Sequence, residues 1–101
     1  MIDLNQETFK QKINEFALIE FWSSACSVCD KAEIYLDKLL KAYSDKIFIA
    51  KVNLDKTTQL IETYSITKLP TFILFRNSLE IARIQGFRNE QDIEKMMRQH
   101  F

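Results

Sequence analysis

Cys26 and Cys29 are the only cysteines in the chain, and Ser27 and Val28 separate them. That spacing serves two chemistries, a redox dithiol and one half of a zinc site. The flanking residues favour the first. An apolar run, Phe16–Trp22, leads through Ser23-Ser24-Ala25 into the pair, and a helical pattern follows it. A strand-to-helix junction places unpaired backbone N–H groups and the positive end of the helix dipole where they favour a thiolate. The thiolate, not the thiol, attacks disulfides. Cys26 reads as the residue at the helix start. Cys29, one turn on, is close enough to form a disulfide with it after local adjustment. Zinc normally takes four ligands, and the pair supplies two. The one histidine, His100, stands far away in sequence and reads as part of a frayed tail.

The elements that must position this pair can be read from periodicity. Asp3 lies in a short edge strand over Ile2–Leu4, and Asn5 caps a first helix with Phe9 and Ile13 on one face. Phe16–Trp22 does not alternate apolar with polar residues, so it reads as a strand buried on both faces, interrupted by Glu20. From Cys26 to about Tyr43, Ala32, Leu36, Leu39, Leu40 and Tyr43 recur at helical spacing. Ile47–Val52 is a second central strand, and Thr58–Tyr64 a short helix with Leu60, Ile61 and Tyr64 as its apolar face. Thr71–Phe75 and the alternating stretch Leu79–Gln85 form a hairpin about Arg76-Asn77-Ser78. Gly86, the only glycine, suits a position of positive φ or close backbone approach. Asn89 caps a last helix with Ile93, Met96 and Met97 inside. Alternating strands and helices followed by a hairpin predict an α/β domain whose parallel sheet gains antiparallel strands at one side.

Bulk properties narrow the function. The 101 residues make one domain, 1–101, and the 47% hydrophobic content supports a packed core. Fourteen basic and fourteen acidic residues cancel, which gives no sign of a nucleic-acid or anionic-membrane surface. No apolar run reaches the ~18 residues of a membrane span. The first residues lack the basic and apolar regions of a signal peptide, so a cytoplasmic location is expected. In a reducing compartment a lone cysteine pair is more often catalytic or metal-binding than structural.

The chain resembles the thioredoxin family, and the resemblance runs along nearly its whole length. Phe21-Trp22 stand before the pair at the spacing of the family's "FWA-x-W-C-x-x-C". Ile49–Asp55 is similar to its strand "VAKLNID", and Tyr64–Phe72 to its "Y-x-I-x-x-x-PT". Gly86 and Phe87 fall where the family has Gly followed by a small residue. The resemblance implies a thioredoxin fold, a central mixed sheet of four to five strands flanked by about four helices. It implies a thiol–disulfide oxidoreductase that reduces protein disulfides with no bound cofactor, since the dithiol carries both electrons. Cys26 would be the nucleophile and Cys29 the resolving thiol. Pro70 would be cis, with Leu69 beside it offering backbone hydrogen bonds to a client; Trp22, Ala25, Ser27, Val28 and Gly86 would complete the client surface. Glu20 takes the place of the family's buried Asp and Lys51 that of its partner Lys. Together they would set the proton acceptor for Cys29, unless they form only a buried ion pair. The implied partners are disulfide-bearing clients and a thioredoxin-reductase-like electron donor, with no nucleic acid or membrane, and the implied state is a monomer.

The chain departs from the family pattern at five positions. Ser27-Val28 replaces Gly-Pro between the cysteines, where strain and hydrogen bonds to sulfur set the redox potential. Ala25 replaces the Trp before the nucleophile, which removes apolar contact surface and predicts different or fewer clients. Asp30 stands where Lys or Arg is common; its charge disfavours nearby thiolates and favours the helix N-terminus. Ile34 replaces a mid-helix proline. These departures motivate an alternative, a thioredoxin-like binding module with little or no redox activity. Residue types leave the direction of the reaction in the cell (reduction, oxidation or isomerisation) open.

Overall fold

A computed structural model describes residues 1–101. The order of elements is β1 (Asp3–Leu4), α1 (Gln6–Lys12), β2 (Ala17–Trp22), α2 (Cys29–Tyr43), β3 (Phe48–Asn53), α3 (Gln59–Thr63), β4 (Thr71–Arg76), β5 (Leu79–Gln85) and α4 (Glu90–Arg98). The five strands form one sheet in the order β1-β3-β2-β4-β5. β1 and β2 run parallel to β3, while β4 is antiparallel to both β2 and β5. The mixed sheet with four helices agrees with the expectation from periodicity.

β2 lies at the centre, and the period of two sorts its side chains between two cores. Ala17, Ile19 and Phe21 join Phe9, Leu60, Ile73 and Phe75 on one face. Leu18 joins Ala32, Leu36, Phe72, Leu74 and Ile93 on the other, under α2 and α4. On the first face Phe9 meets Phe21, Tyr64 and Phe75 edge-on, with ring centroids 5.7–5.8 Å apart. Edge-to-face pairs of this kind add about 0.5–1.5 kcal/mol each beyond the area they bury. Local signals hold the outer elements in place. Asn5 and Thr8 form a reciprocal capping box on α1, and the Asn89 side chain accepts the Asp92 N–H at α4. Asn77 and Ser78 both have positive φ, the backbone of a tight hairpin turn that matches strand twist.

Several expectations need correction. Ile61, expected on the apolar face of its short helix, is 40% exposed and stands outside the core. The C-terminus is not frayed. The Arg76 guanidinium donates to the His100 carbonyl at 2.7 Å, and the Phe101 ring meets Phe16 edge-on and Tyr43 at a tilt.

Candidate active site: the dithiol turn and the carboxyl beneath it

The helix that follows the cysteine pair begins at Cys29, with Val28 as its N-cap. Cys26 therefore stands before the helix rather than at its start. The cause lies in the turn. The Cys26 N–H donates to the Ser23 carbonyl at 3.1 Å and the Cys29 N–H to the Cys26 carbonyl at 3.4 Å, so the helical ladder opens only with Ala32 N–H on the Val28 carbonyl. Val28 has no polar side chain to cap α2. The N–H groups of Asp30 and Lys31 and the positive dipole end of the helix are thus left open in its first turn, beside Cys29. A second tie comes from the loop after β3: the Ser24 N–H donates to Asp55 Oδ2 at 2.9 Å.

Cys26 and Cys29 are joined as a disulfide, with Cα atoms 5.5 Å apart. They differ in access. Cys29 is 3% exposed, whereas Cys26 is half-buried. A bulky disulfide substrate can approach Cys26 from solvent and cannot approach Cys29. Ala25 and Ser27 are exposed beside the pair, and Val28 is half-buried.

The Leu69–Pro70 bond is cis, as the resemblance implies. Pro70 is buried, its carbonyl accepting the Gly86 N–H at 2.7 Å, and Leu69 is half-buried. Gly86 has φ +82°, which accounts for a glycine there. A groove of about 440 Å³ links the two loops, lined by Ser23, Asp55, Ile61, Ile66 and Leu69 among others. The exposure of Ile61 thus has a counterpart: it walls this groove.

Beneath the turn lies Glu20. The alternation along β2 sends it to the α2 side, in register with Lys51 on β3 and Phe72 on β4. It is 1% exposed, and neither carboxyl oxygen has a hydrogen-bond partner. Burial pushes its pKa from 4.5 up to about 8; Glu33, Asp3 and Asp30 push the same way, and Lys51 opposes them. The expected Glu20–Lys51 ion pair is absent. Lys51 Nζ instead meets Glu33 Oε1 at 2.7 Å and lies 4.8 Å from the centroid of the Trp22 ring. Burial pulls the Lys51 pKa down, but its hydrogen bond to Glu33 and the surrounding carboxylates outweigh that, and the net direction is up. The Trp22 indole N–H donates to Asp3 Oδ1 at 3.3 Å. Trp22 is thereby engaged with Lys51 and Asp3.

Two polar partners escape the reading of the sequence, Glu33 and Asp55. Glu33 had one available signal. It follows Cys29 by four residues, so the two share a helix face. Asp55 had none, because its bond to Ser24 spans 31 residues.

No cluster of three or more His, Cys, Asp or Glu is placed to hold a metal ion. The Thioredoxin family model matches residues 1–99. A thioredoxin of Buchnera aphidicola is 27% identical over 100 residues, covering 96% of this chain and 93% of that protein. A thioredoxin of Mycoplasma genitalium is 35% identical over 82 residues, covering 81% and 78%. The crystal structure of a Malassezia sympodialis thioredoxin superposes with a TM-score of 0.87 at 25% identity, covering 95% of this chain and 85% of that one. The matched span takes in the dithiol turn, the cis proline loop and every strand, and the chain belongs to the thioredoxin family as a thiol–disulfide oxidoreductase.

Proposed function

We propose that the protein reduces disulfides of client proteins, with Cys26 as nucleophile and Cys29 as resolving thiol. The observation that carries this reading is the unequal access of the two residues, Cys26 half-buried and Cys29 3% exposed. The Cys26 thiolate attacks one sulfur of the client disulfide. A mixed disulfide forms and the first client thiolate leaves. Cys29 then loses its proton and attacks the Cys26 sulfur. The Cys26–Cys29 disulfide closes and the second client thiolate leaves, so two electrons have passed to the client.

Glu20 is the acceptor of the Cys29 proton in this proposal. A carboxyl with a pKa of about 8 is mostly protonated at neutrality, so it is the ionised fraction, growing as pH rises toward 8, that takes the Cys29 proton. Such a group is matched to a thiol of ordinary pKa near 8.5. Lys51 tempers its rise. The client lies along the groove between Ser23 and Leu69, with Ala25, Ser27, Val28, Pro70 and Gly86 at its margin and Trp22 as support from the α2 side. Thioredoxins work without a bound cofactor and are reduced by thioredoxin reductase; a flavoprotein of that kind is the electron donor proposed here. The proposal includes a single functional domain over 1–101, a monomer and a cytoplasmic setting. No helix is long and apolar enough to cross a membrane.

Insulin-disulfide reduction tests the assignment. Cys26→Ser should abolish it, and Cys29→Ser should stall as a stable mixed disulfide through Cys26. Full activity in Cys26→Ser would overturn the nucleophile. Titration of the pair against glutathione and dithiothreitol tests the direction: a potential below the cytosolic glutathione pool is expected, and a markedly higher one would make the protein an oxidant or isomerase.

A further inference from the structure

We propose that Glu33 is a positioning residue for the dithiol reaction: it holds the Lys51 ammonium off Glu20 and leaves that buried carboxyl without a direct ion-pair partner. The functional consequence rests on Glu20 serving Cys29, while the geometry stands without it.

Glu20 and Lys51 are direct register partners on adjacent strands. The alternation of β2 and β3 sends both side chains to the face under α2, since their neighbours Ile19, Phe21, Ala50 and Val52 all lie in the opposite core. Registered side chains on one face stand near enough to pair. The pair does not form, although Glu20 has both oxygens free and a buried carboxylate gains most from a cation. Lys51 is turned instead to the rim. Its side chain is 15% exposed and that of Glu33 28%, against 1% for the whole of Glu20. Glu33 holds the ammonium at 2.7 Å and the Trp22 ring lies 4.8 Å from it.

The other charges around Glu20 cannot do this work. Asp3 comes from β1, Asp30 and Glu33 from α2, and Lys51 from β3; β4 offers Phe72. Lys51 is the single cation in the set. Whatever controls its position controls whether Glu20 is an acid held neutral or a salt-bridged carboxylate. Glu33 therefore acts twice. It holds the one stabilising charge out of direct contact, so that Lys51 only partly offsets burial, and it adds a repelling charge of its own.

A rim ion pair with no positioning role would contribute little to stability, and Lys51→Met would then shift the Glu20 titration equally with and without Glu33. The test is a carbon-13 NMR titration of the Glu20 side-chain carboxyl in the oxidised protein, with Glu33→Gln, Lys51→Met and the double variant. Glu33→Gln should lower the Glu20 midpoint by about one pH unit or more, as Lys51 falls back onto it. Adding Lys51→Met should undo most of that fall, and should move the midpoint less when Glu33 is intact. Glu33→Asp, which keeps the charge on a shorter arm, should lie between wild type and Glu33→Gln and serves also if the amide variant folds poorly. An unmoved midpoint in Glu33→Gln, or a Lys51→Met shift of equal size in both backgrounds, would overturn the proposal. The pH profile of mixed-disulfide resolution, measured in single turnover, separates the two readings. A Glu20 midpoint that moves while the resolution profile stays fixed removes Glu20 as proton acceptor and leaves Glu33 as the residue that places Lys51.

Discussion

The Ser24 amide and the Asp55 carboxylate, 31 residues apart in sequence, meet at 2.9 Å and fasten the loop before the dithiol to the loop after β3. The bond is charge-assisted and holds the Asp55 pKa below its ordinary 3.8, through the Ser24 side chain and then its backbone N–H. Asp55 is on the surface, so the tie is a matter of loop order more than of global stability. Asp55→Ala should leave the melting temperature nearly unchanged and should speed amide exchange at Ser24 and Cys26. The sign with pH follows from the lowered pKa. The tie is intact above the ordinary carboxylate range and is lost as pH falls through the folded pKa, so exchange-corrected protection of Ser24 should weaken only under strong acid.

Glu20 sets the opposite pH trend. The unfolded chain releases its proton near 4.5, and the folded chain keeps it until about 8. Between those values the unfolded state is favoured by about 1.4 kcal/mol per pH unit from this group. Its contribution is fully present below pH 4.5 and is lost as pH rises through 8, a total on the order of 3–5 kcal/mol. Glu20→Gln has no proton to release. The variant should match wild type near pH 4.5 and exceed it by roughly 12 °C or more in melting temperature at pH 9. Parallel melting curves for the two proteins across that range would refute the raised pKa.

Gly86→Ala should destabilise the protein without crowding it. A Cβ there would lie 3.7 Å from Lys68 Cδ, an ordinary contact, so the cost is conformational. Holding a residue with a Cβ at φ +82° costs about 1–2 kcal/mol, or roughly 4–15 °C in melting temperature for a domain of this size. Because the Gly86 N–H also donates to Pro70, insulin reduction by the variant should fall with it. A variant as stable as wild type would show that the backbone relaxes out of the left-handed region.

Ala25→Trp should improve client affinity more than turnover. Ala25 is exposed beside the half-buried Cys26, and a Trp side chain brings 150–250 Å² of contact surface. The KM for insulin should fall about threefold or more, with kcat changed less than twofold. An unchanged KM would place the client surface elsewhere.

The parts of the site visible in the sequence are those that a few neighbouring residues determine. The Cys26-Ser27-Val28-Cys29 turn, the doubly buried run ending at Trp22 and the lone Gly86 all announce themselves locally. The cis state of Leu69–Pro70 was legible only through the family resemblance, since the dipeptide alone signals no more than a turn. What stayed hidden depends on which distant side chain wins a contact. Lys51 has two carboxylates within reach, and only the packing of α2 over β3 decides for Glu33 over Glu20. The start of α2 at Cys29 rather than Cys26 turns on two hydrogen bonds within a turn, below the resolution of periodicity.

The sheet order places β2, the strand that leads into the dithiol, between β3 and β4, with a further strand outside each. Its amides should therefore open to solvent only when the whole molecule unfolds, while the margins at β1 and β5 breathe on their own schedule. Client turnover and local fraying are thus separate clocks. A molecule whose rim has momentarily come loose still has its reacting sulfurs anchored at the end of the most persistent strand of its frame.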